Sequence, residues 1–223
     1  MVRKIKPAPR RRYRSPLRSA QSARTRQAVL EAARTLFLSA GWSGTTIMQI
    51  AEAASLSKET IYAVFGNKRA ILQLIIANAV RGGTPNVPLL EQSRTQRIAS
   101  LTDQIRQIEL FAFDIAKILD RVAPLVAVVR AAAGAEPELA ELYRALHEGR
   151  RQNLRFFVDA LSRNGSLRSD MDIGTATEIV WRLASPELFL LMRQVEGLSL
   201  SRYSAWLRGS LIRLLLRNAD ANS

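Results

Sequence analysis

Residues 41–72 read GWSGTTIMQIAEAASLSKETIYAVFGNKRAIL, and this stretch decides the fold. Gly41 can take a left-handed helix-cap conformation without steric penalty, so it ends a preceding helix. Thr46-Ile47-Met48-Gln49 has capping-box spacing and opens a short helix from Thr46 to about Ala53 that buries Ile47, Ile50 and Ala54. A turn at Ser55-Leu56 leads to Ser57, an N-cap residue type, and to a second short helix over about 57–65. Leu56, Ile61 and Phe65 face inward, Thr60 sits at the boundary, and Lys58, Glu59, Tyr62 and Ala63 face out. Nine helical residues span about 13 Å at 1.5 Å each. That length fits a major groove about 12 Å wide. Gly66 breaks the chain again, and Asn67 caps a helix to about Val80 with Ile71, Leu74 and Ile75 inside.

Working outward, the helix before Gly41 starts near Ser22 and aligns Val29, Ala32, Ala33, Leu36 and Phe37 at spacings of three and four. After the Gly- and Pro-rich stretch Arg81–Pro88, helices are expected over about 92–119, 122–133, 136–163, 173–184, 186–196 and 199–217, with breaks at Pro124 and over Gly134–Pro137. No stretch alternates like a strand, so the fold is expected to be all-α. The expected organisation is a disordered basic arm (1–21), a three-helix helix-turn-helix head (22–81), a linker (82–91), a helical body (92–218) and a tail (219–223).

Charge sharpens the picture. The 223 residues hold 33 Lys and Arg against 19 Asp and Glu, a net charge of +14. Ten of those cations and no acid lie in residues 1–26, leaving 23 basic against 19 acidic elsewhere. A near-neutral globule with a cationic arm wants a polyanion, and DNA comes first. Arg10, Arg11, Arg12, Arg14 and Arg18 are the arm residues expected to follow the duplex backbone or enter the minor groove. The alternative is a solvated tail. The arm also has the composition of a transit peptide, but Pro7, Pro9 and Pro16 would interrupt its amphipathic helix. No secretory signal is read, and no apolar run approaches the ~18 residues of a membrane span. The cysteine count is zero and the histidine count is one, which leaves little for thiol, zinc or imidazole chemistry, so neither a cofactor, a metal nor an enzymatic activity is expected.

The segment over residues 22–80 resembles the TetR family of bacterial transcriptional regulators. Gly41, Trp42, Thr45, Thr46, Ile50, Ala51, Ala54, Ser57, Lys58, Thr60, Ile61, Tyr62, Phe65, Lys68 and Ala70 carry the resemblance. Over 92–217 it is loose and rests on helix number and the run from Gly197 to Leu207. Ser55 stands where the turn is usually Gly, and left-handed geometry there costs roughly 1–2 kcal/mol. Gly66 stands where many relatives have Pro, and Met48 stands where some carry a base-reading cation. The resemblance implies phosphate contacts at Thr46, Tyr62 and Lys68 and base-facing positions at Lys58, Glu59, Thr60 and Ala63. The chemistry agrees: helix N-termini at Thr46 and Asn67-Lys68 favour anions. Lys58 can donate to guanine and Glu59 accept from cytosine; the alternative is that both are a solvated first turn.

The resemblance further implies a body that dimerises and encloses a small-molecule effector. Phe111, Ile115, Tyr143, His147 and Trp181 are candidates for an effector lining, with core packing as the alternative, and the composition favours an apolar or amphipathic ligand. Leu200, Tyr203, Leu207, Leu211 and Leu214 form a stripe, and Gly209 suggests the close approach of another helix, so these are the candidate dimer contacts, with an intrachain core as the alternative. The expected function is a cytoplasmic, nucleoid-associated homodimeric repressor released from a pseudo-palindromic double-stranded operator by an effector. The alternatives are an architectural DNA binder relying on the arm and, further off, a helical enzyme.

Overall fold

Pro16, whose fixed φ suits a first helical position, opens α1 (Pro16–Ala40) in the computed structural model, which describes residues 16–84 and 86–216. This helix begins ahead of Ser22, so residues 16–21, expected to belong to the arm, are helical. Arg10, Arg11, Arg12 and Arg14 lie outside the described residues, as do the side chain of Arg18 and the tail 219–223.

The head follows its local signals. Gly41, at φ +69°, closes α1 and donates its N–H to Phe37 O. The α2 helix (Ile47–Ala53) opens on a complete capping box: Thr46 accepts from the Gln49 N–H, and the Gln49 side chain accepts from the Thr46 N–H. Ser57 caps α3 (Lys58–Phe65) by accepting from the Thr60 N–H, and Asn67 caps α4 (Lys68–Arg81) through the Ala70 N–H. Ser55 takes the left-handed conformation, φ 54°, that the tight turn demands. Val29, Ala33 and Phe37 of α1 meet Ile50, Ile61, Ile71 and Leu72 from the other three helices in one buried cluster, with Trp42 stacked on Phe37 at 6.0 Å.

The body is α5 (Ser93–Ala99), α6 (Gln104–Ala132), α7 (Pro137–Arg163), α8 (Ile173–Leu183), α9 (Pro186–Leu190) and α10 (Leu200–Leu215). A π-helical turn over Leu191–Val195 follows α9 directly. Among the described residues there is no strand, only an isolated bridge between Leu167 and Leu216. Two expectations are corrected. The helix expected over 92–119 breaks at residues 100–103, where Asp103 accepts from the N–H groups of Ile105 and Arg106 and starts α6 afresh. The expected break at Pro124 is absent: α6 runs through it, because the one hydrogen bond lost is offset by burying Ala123, Leu125, Val126 and Val129 around it.

The third correction concerns α10. Tyr203, Leu207 and Leu211 are completely buried within the chain, packed where α10 runs along α6. They cannot be dimer contacts. The nearest atoms to a Cβ placed on Gly209 belong to Arg213 of the same helix, so no second helix approaches there within the chain. Leu214 is exposed and Leu200 half-buried. Besides Leu214, the large apolar side chains left open just ahead of α10 are Leu191 (47% exposed) and Val195 (76%).

Head and body meet along α4, which packs on α6 and α7. Arg121 of α6 donates its Nε–H to Ala79 O at 2.8 Å, a carbonyl in the last turn of α4. Its guanidinium would lie 3.1 Å from a Cβ on Gly82, the φ +67° residue that ends α4, so both the conformation and the close approach require glycine there. Asp114 sits behind this joint, paired with Arg94. Burial raises its carboxyl pKa against the pull of Arg94, Arg121 and Lys117.

Candidate nucleic-acid interface

The cap at Ser57 and the left-handed Ser55 present α3 with its first turn outward. Lys58, Glu59, Tyr62 and Ala63 are exposed side by side, and Ile61 is the buried anchor beneath them. Thr60 is half-buried, and its hydroxyl lies 3.0 Å from that of Ser57, so of the base-facing candidates Lys58, Glu59 and Ala63 are exposed and Thr60 packs beneath them. Tyr62 is 52% exposed. Behind α3, the Arg26 guanidinium stacks over the Phe65 ring at 4.8 Å and holds the end of the helix against α1.

The phosphate candidates fare differently. The Thr46 hydroxyl is engaged in its capping box, lying 3.0 Å from Gln49 Oε1, so what α2 offers an anion is its N-terminal backbone rather than that side chain. Lys68 donates from Nζ to Trp42 O and to Thr45 O, both at 2.9 Å, and the same ammonium sits 3.9 Å above the Trp42 ring. Burial lowers its pKa, opposed by Glu136 and Glu138. Only one of its N–H groups remains. Lys68 is first a clasp that ties the start of α4 to the loop before α2, a role no residue-type reading could find because the partners lie 23 and 26 positions back.

In the body, the five residues expected to form one lining separate. Phe111 stacks on Phe157 at 3.8 Å and borders a cavity of about 60 Å³ with Ile115. A larger cavity, about 520 Å³, opens between α4, α6 and α7, and Ile115 and His147 reach it. Its apolar wall includes Ile76 and Val80 of α4, Ile118 and Val122 of α6 and Leu146 of α7. Gln73, Arg81, Arg150 and Asn153 supply polar groups. Arg150, one helical turn beyond His147, was missed in the sequence although that spacing puts both on one face of α7.

Tyr143, His147 and Trp181 do come together, with ring centroids 4.4 and 5.7 Å apart, in an outer cleft that shares His147 and Arg150 with the larger cavity. The Tyr143 hydroxyl donates to Glu187 Oε1 at 2.7 Å, and His147 Nε2 stands 3.4 Å from the same oxygen. Burial would raise the Glu187 carboxyl, but His147 and Tyr143 outweigh it and hold it at about 2. Of the two, the Tyr143 bond is the firmer cause, since His147 Nε2 completes no hydrogen bond. Burial and the bond to Glu187 push Tyr143 up to about 12, so it remains the donor at neutral pH. A depressed carboxyl contributes stability above its unfolded value of about 4.5 that is lost as pH falls toward about 2. Tyr143→Phe should therefore shift acid unfolding, followed by circular dichroism, to higher pH. Coincident curves would mean that the hydroxyl does not hold Glu187 ionised.

A short capped helix, a left-handed turn and a second capped helix with an exposed polar face define a helix-turn-helix DNA-binding protein. Residues 29–75 match the family described as bacterial regulatory proteins, tetR family. The HTH-type transcriptional repressor BepR of Brucella suis is 30% identical over 176 residues, 72% of this chain and 77% of BepR. An uncharacterised HTH-type regulator of Bacillus subtilis, YdeS, is 26% identical over 159 residues, 70% of this chain and 74% of YdeS. The fold also matches NalD of Pseudomonas aeruginosa, the secondary repressor of the MexAB-OprM multidrug efflux pump, at TM-score 0.66 and 21% identity over 89% of this chain and 99% of NalD. The chain belongs to the tetR family and is a DNA-binding transcriptional regulator. No helix among the described residues is long and apolar enough to cross a membrane.

Proposed function

We propose that the protein is a homodimeric repressor that leaves a pseudo-palindromic operator when a small molecule fills the cavity between α4, α6 and α7. The observation that carries this reading is the shared helix: α4 forms one wall of the cavity and, through the Lys68 clasp, anchors the loop that sets α2 and α3. A ligand wedged against Ile76 and Val80 displaces α4, and the recognition helix moves with it. Two such helices must enter successive major grooves about 34–36 Å apart, so a small displacement of each breaks the match. Exposed Leu191 and Val195 support pairing with a second copy through the end of the body that carries them. The name of BepR supports repression as the sign. The site of action is the cytoplasm, at the chromosome.

Lys58 and Glu59 read bases, Ala63 contacts a thymine methyl, and Tyr62 together with the N-terminal backbone of α2 holds phosphates. Lys58→Ala should relax preference at one operator position at about 1–3 kcal/mol. Tyr62→Phe should weaken binding on every sequence alike, by removing a single hydroxyl donor to the backbone. Binding to a library of operator variants separates the two. If Lys58→Ala loses affinity uniformly, its assignment to base reading is wrong.

A further inference from the structure

The larger cavity combines an apolar wall with a cation that no carboxylate touches directly. Arg150 is largely buried on α7. Its Nη1 donates to Trp181 O at 2.7 Å and Ala184 O at 3.2 Å, and its guanidinium lies 4.9 Å from the Trp181 ring centroid. Its Nε has no hydrogen-bond partner, and Nη2 has only a long contact, 3.4 Å, to His147 Nδ1. Among the described residues no carboxylate forms an ion pair with it; Glu187, the opposite charge that acts on it most strongly, is engaged by Tyr143 and His147 instead. The other charged side chains at the cavity are Arg81 and the exposed Glu91. A largely buried charge held without a direct ion pair is costly, and a chain evolved only for stability would pair it or replace it by an apolar residue.

We propose that this cavity takes an amphipathic anion, an apolar body ending in a carboxylate-type head, and that Arg150 selects the head. The inference rests on the reading of the cavity as the effector site. The burial that holds the Arg150 pKa down to about 10 still leaves it charged at neutral pH. A carboxylate brought against Nη2 would replace its long contact to His147 with a charge-assisted hydrogen bond, with Asn153 on the same helix within the lining. The alkyl or aromatic remainder of the ligand would lie along Ile76, Val80, Ile118 and Val122.

The test compares three ten-carbon probes, decanoate, 1-decanol and decylamine, by titration of tryptophan fluorescence in the full chain, since Trp181 touches the guanidinium. Decanoate should bind about tenfold or more tightly than 1-decanol, and decylamine most weakly. Arg150→Gln should erase the advantage of decanoate while leaving 1-decanol unchanged. Should that variant fail to fold, Arg150→Lys, which keeps the charge, must keep the wild-type ranking. If 1-decanol or decylamine binds as well as decanoate while Ile118→Trp abolishes all binding, the cavity holds ligands and the assignment of an anion is overturned. If none of the three binds, the cavity reading itself falls and the inference with it.

Discussion

Glutamate at both Leu207 and Leu211 should abolish the folded state rather than separate the protomers. Both leucines are fully buried against α6 inside one chain. Truncating a buried leucine to alanine already costs about 2–5 kcal/mol. Placing a carboxylate there adds the desolvation of a charge with no partner. Two such changes exceed the ~5–15 kcal/mol that holds a typical domain together. Circular dichroism should show no cooperative thermal transition. Leu191→Glu with Val195→Glu is the contrast, because both side chains are exposed in the chain. That variant should melt near the wild-type temperature and sediment as a monomer. A folded, monomeric Leu207/Leu211 variant would mean that the α10 stripe faces a partner after all.

Lys68→Ala should loosen the whole head. It removes two charge-assisted hydrogen bonds to loop carbonyls and the contact with Trp42. Together these amount to about 3–7 kcal/mol on the scale of two bonds to a charged group and one cation–π contact, reduced where water reaches the ammonium. Amide exchange across residues 41–46 should speed up, and DNA affinity should fall on every sequence because α2 and α3 lose their fixed spacing. The alternative is distinguishable: if exchange in that loop is unchanged and only DNA affinity falls, the ammonium serves a phosphate directly and the clasp is incidental.

What was legible in the sequence follows from range. The caps at Thr46, Ser57 and Asn67 act over three residues, and each appears where its residue type and spacing put it. The exposed face of α3 follows from those caps and from Ile61 beneath it. Residues 100–103 were illegible because Ile98, Leu101, Ile105 and Ile108 continue an apolar rhythm across the break, masking the capping role of Asp103. Pro124 misled in the opposite sense, since the burial that carries a helix through proline depends on neighbours distant in sequence. The stripe on α10 announced burial but not its partner: an apolar face packs equally well on its own chain or on another. Lys68 and Arg150 share this difficulty, because what a cation does is set by the carbonyls or empty space that folding brings to it.

The π turn at Leu191–Val195 accommodates one residue more than an α-helical turn would, shown by the Glu196 N–H reaching back five positions to Leu191 O. Such a turn is a seam at which chain length is adjustable. Gln194 is exposed within it and Gly197 ends the segment in a left-handed cap. A shortened homologue lacking one residue here would close the turn into regular α-helix and rotate its remaining side chains by about 100°. Val195 would then no longer lie where it does. The outward apolar surface at this end of the body can thus be re-aimed by a single insertion or deletion, without exchanging any core side chain; with copies pairing through it as proposed, related chains would gain a simple route to mutually incompatible self-assembly.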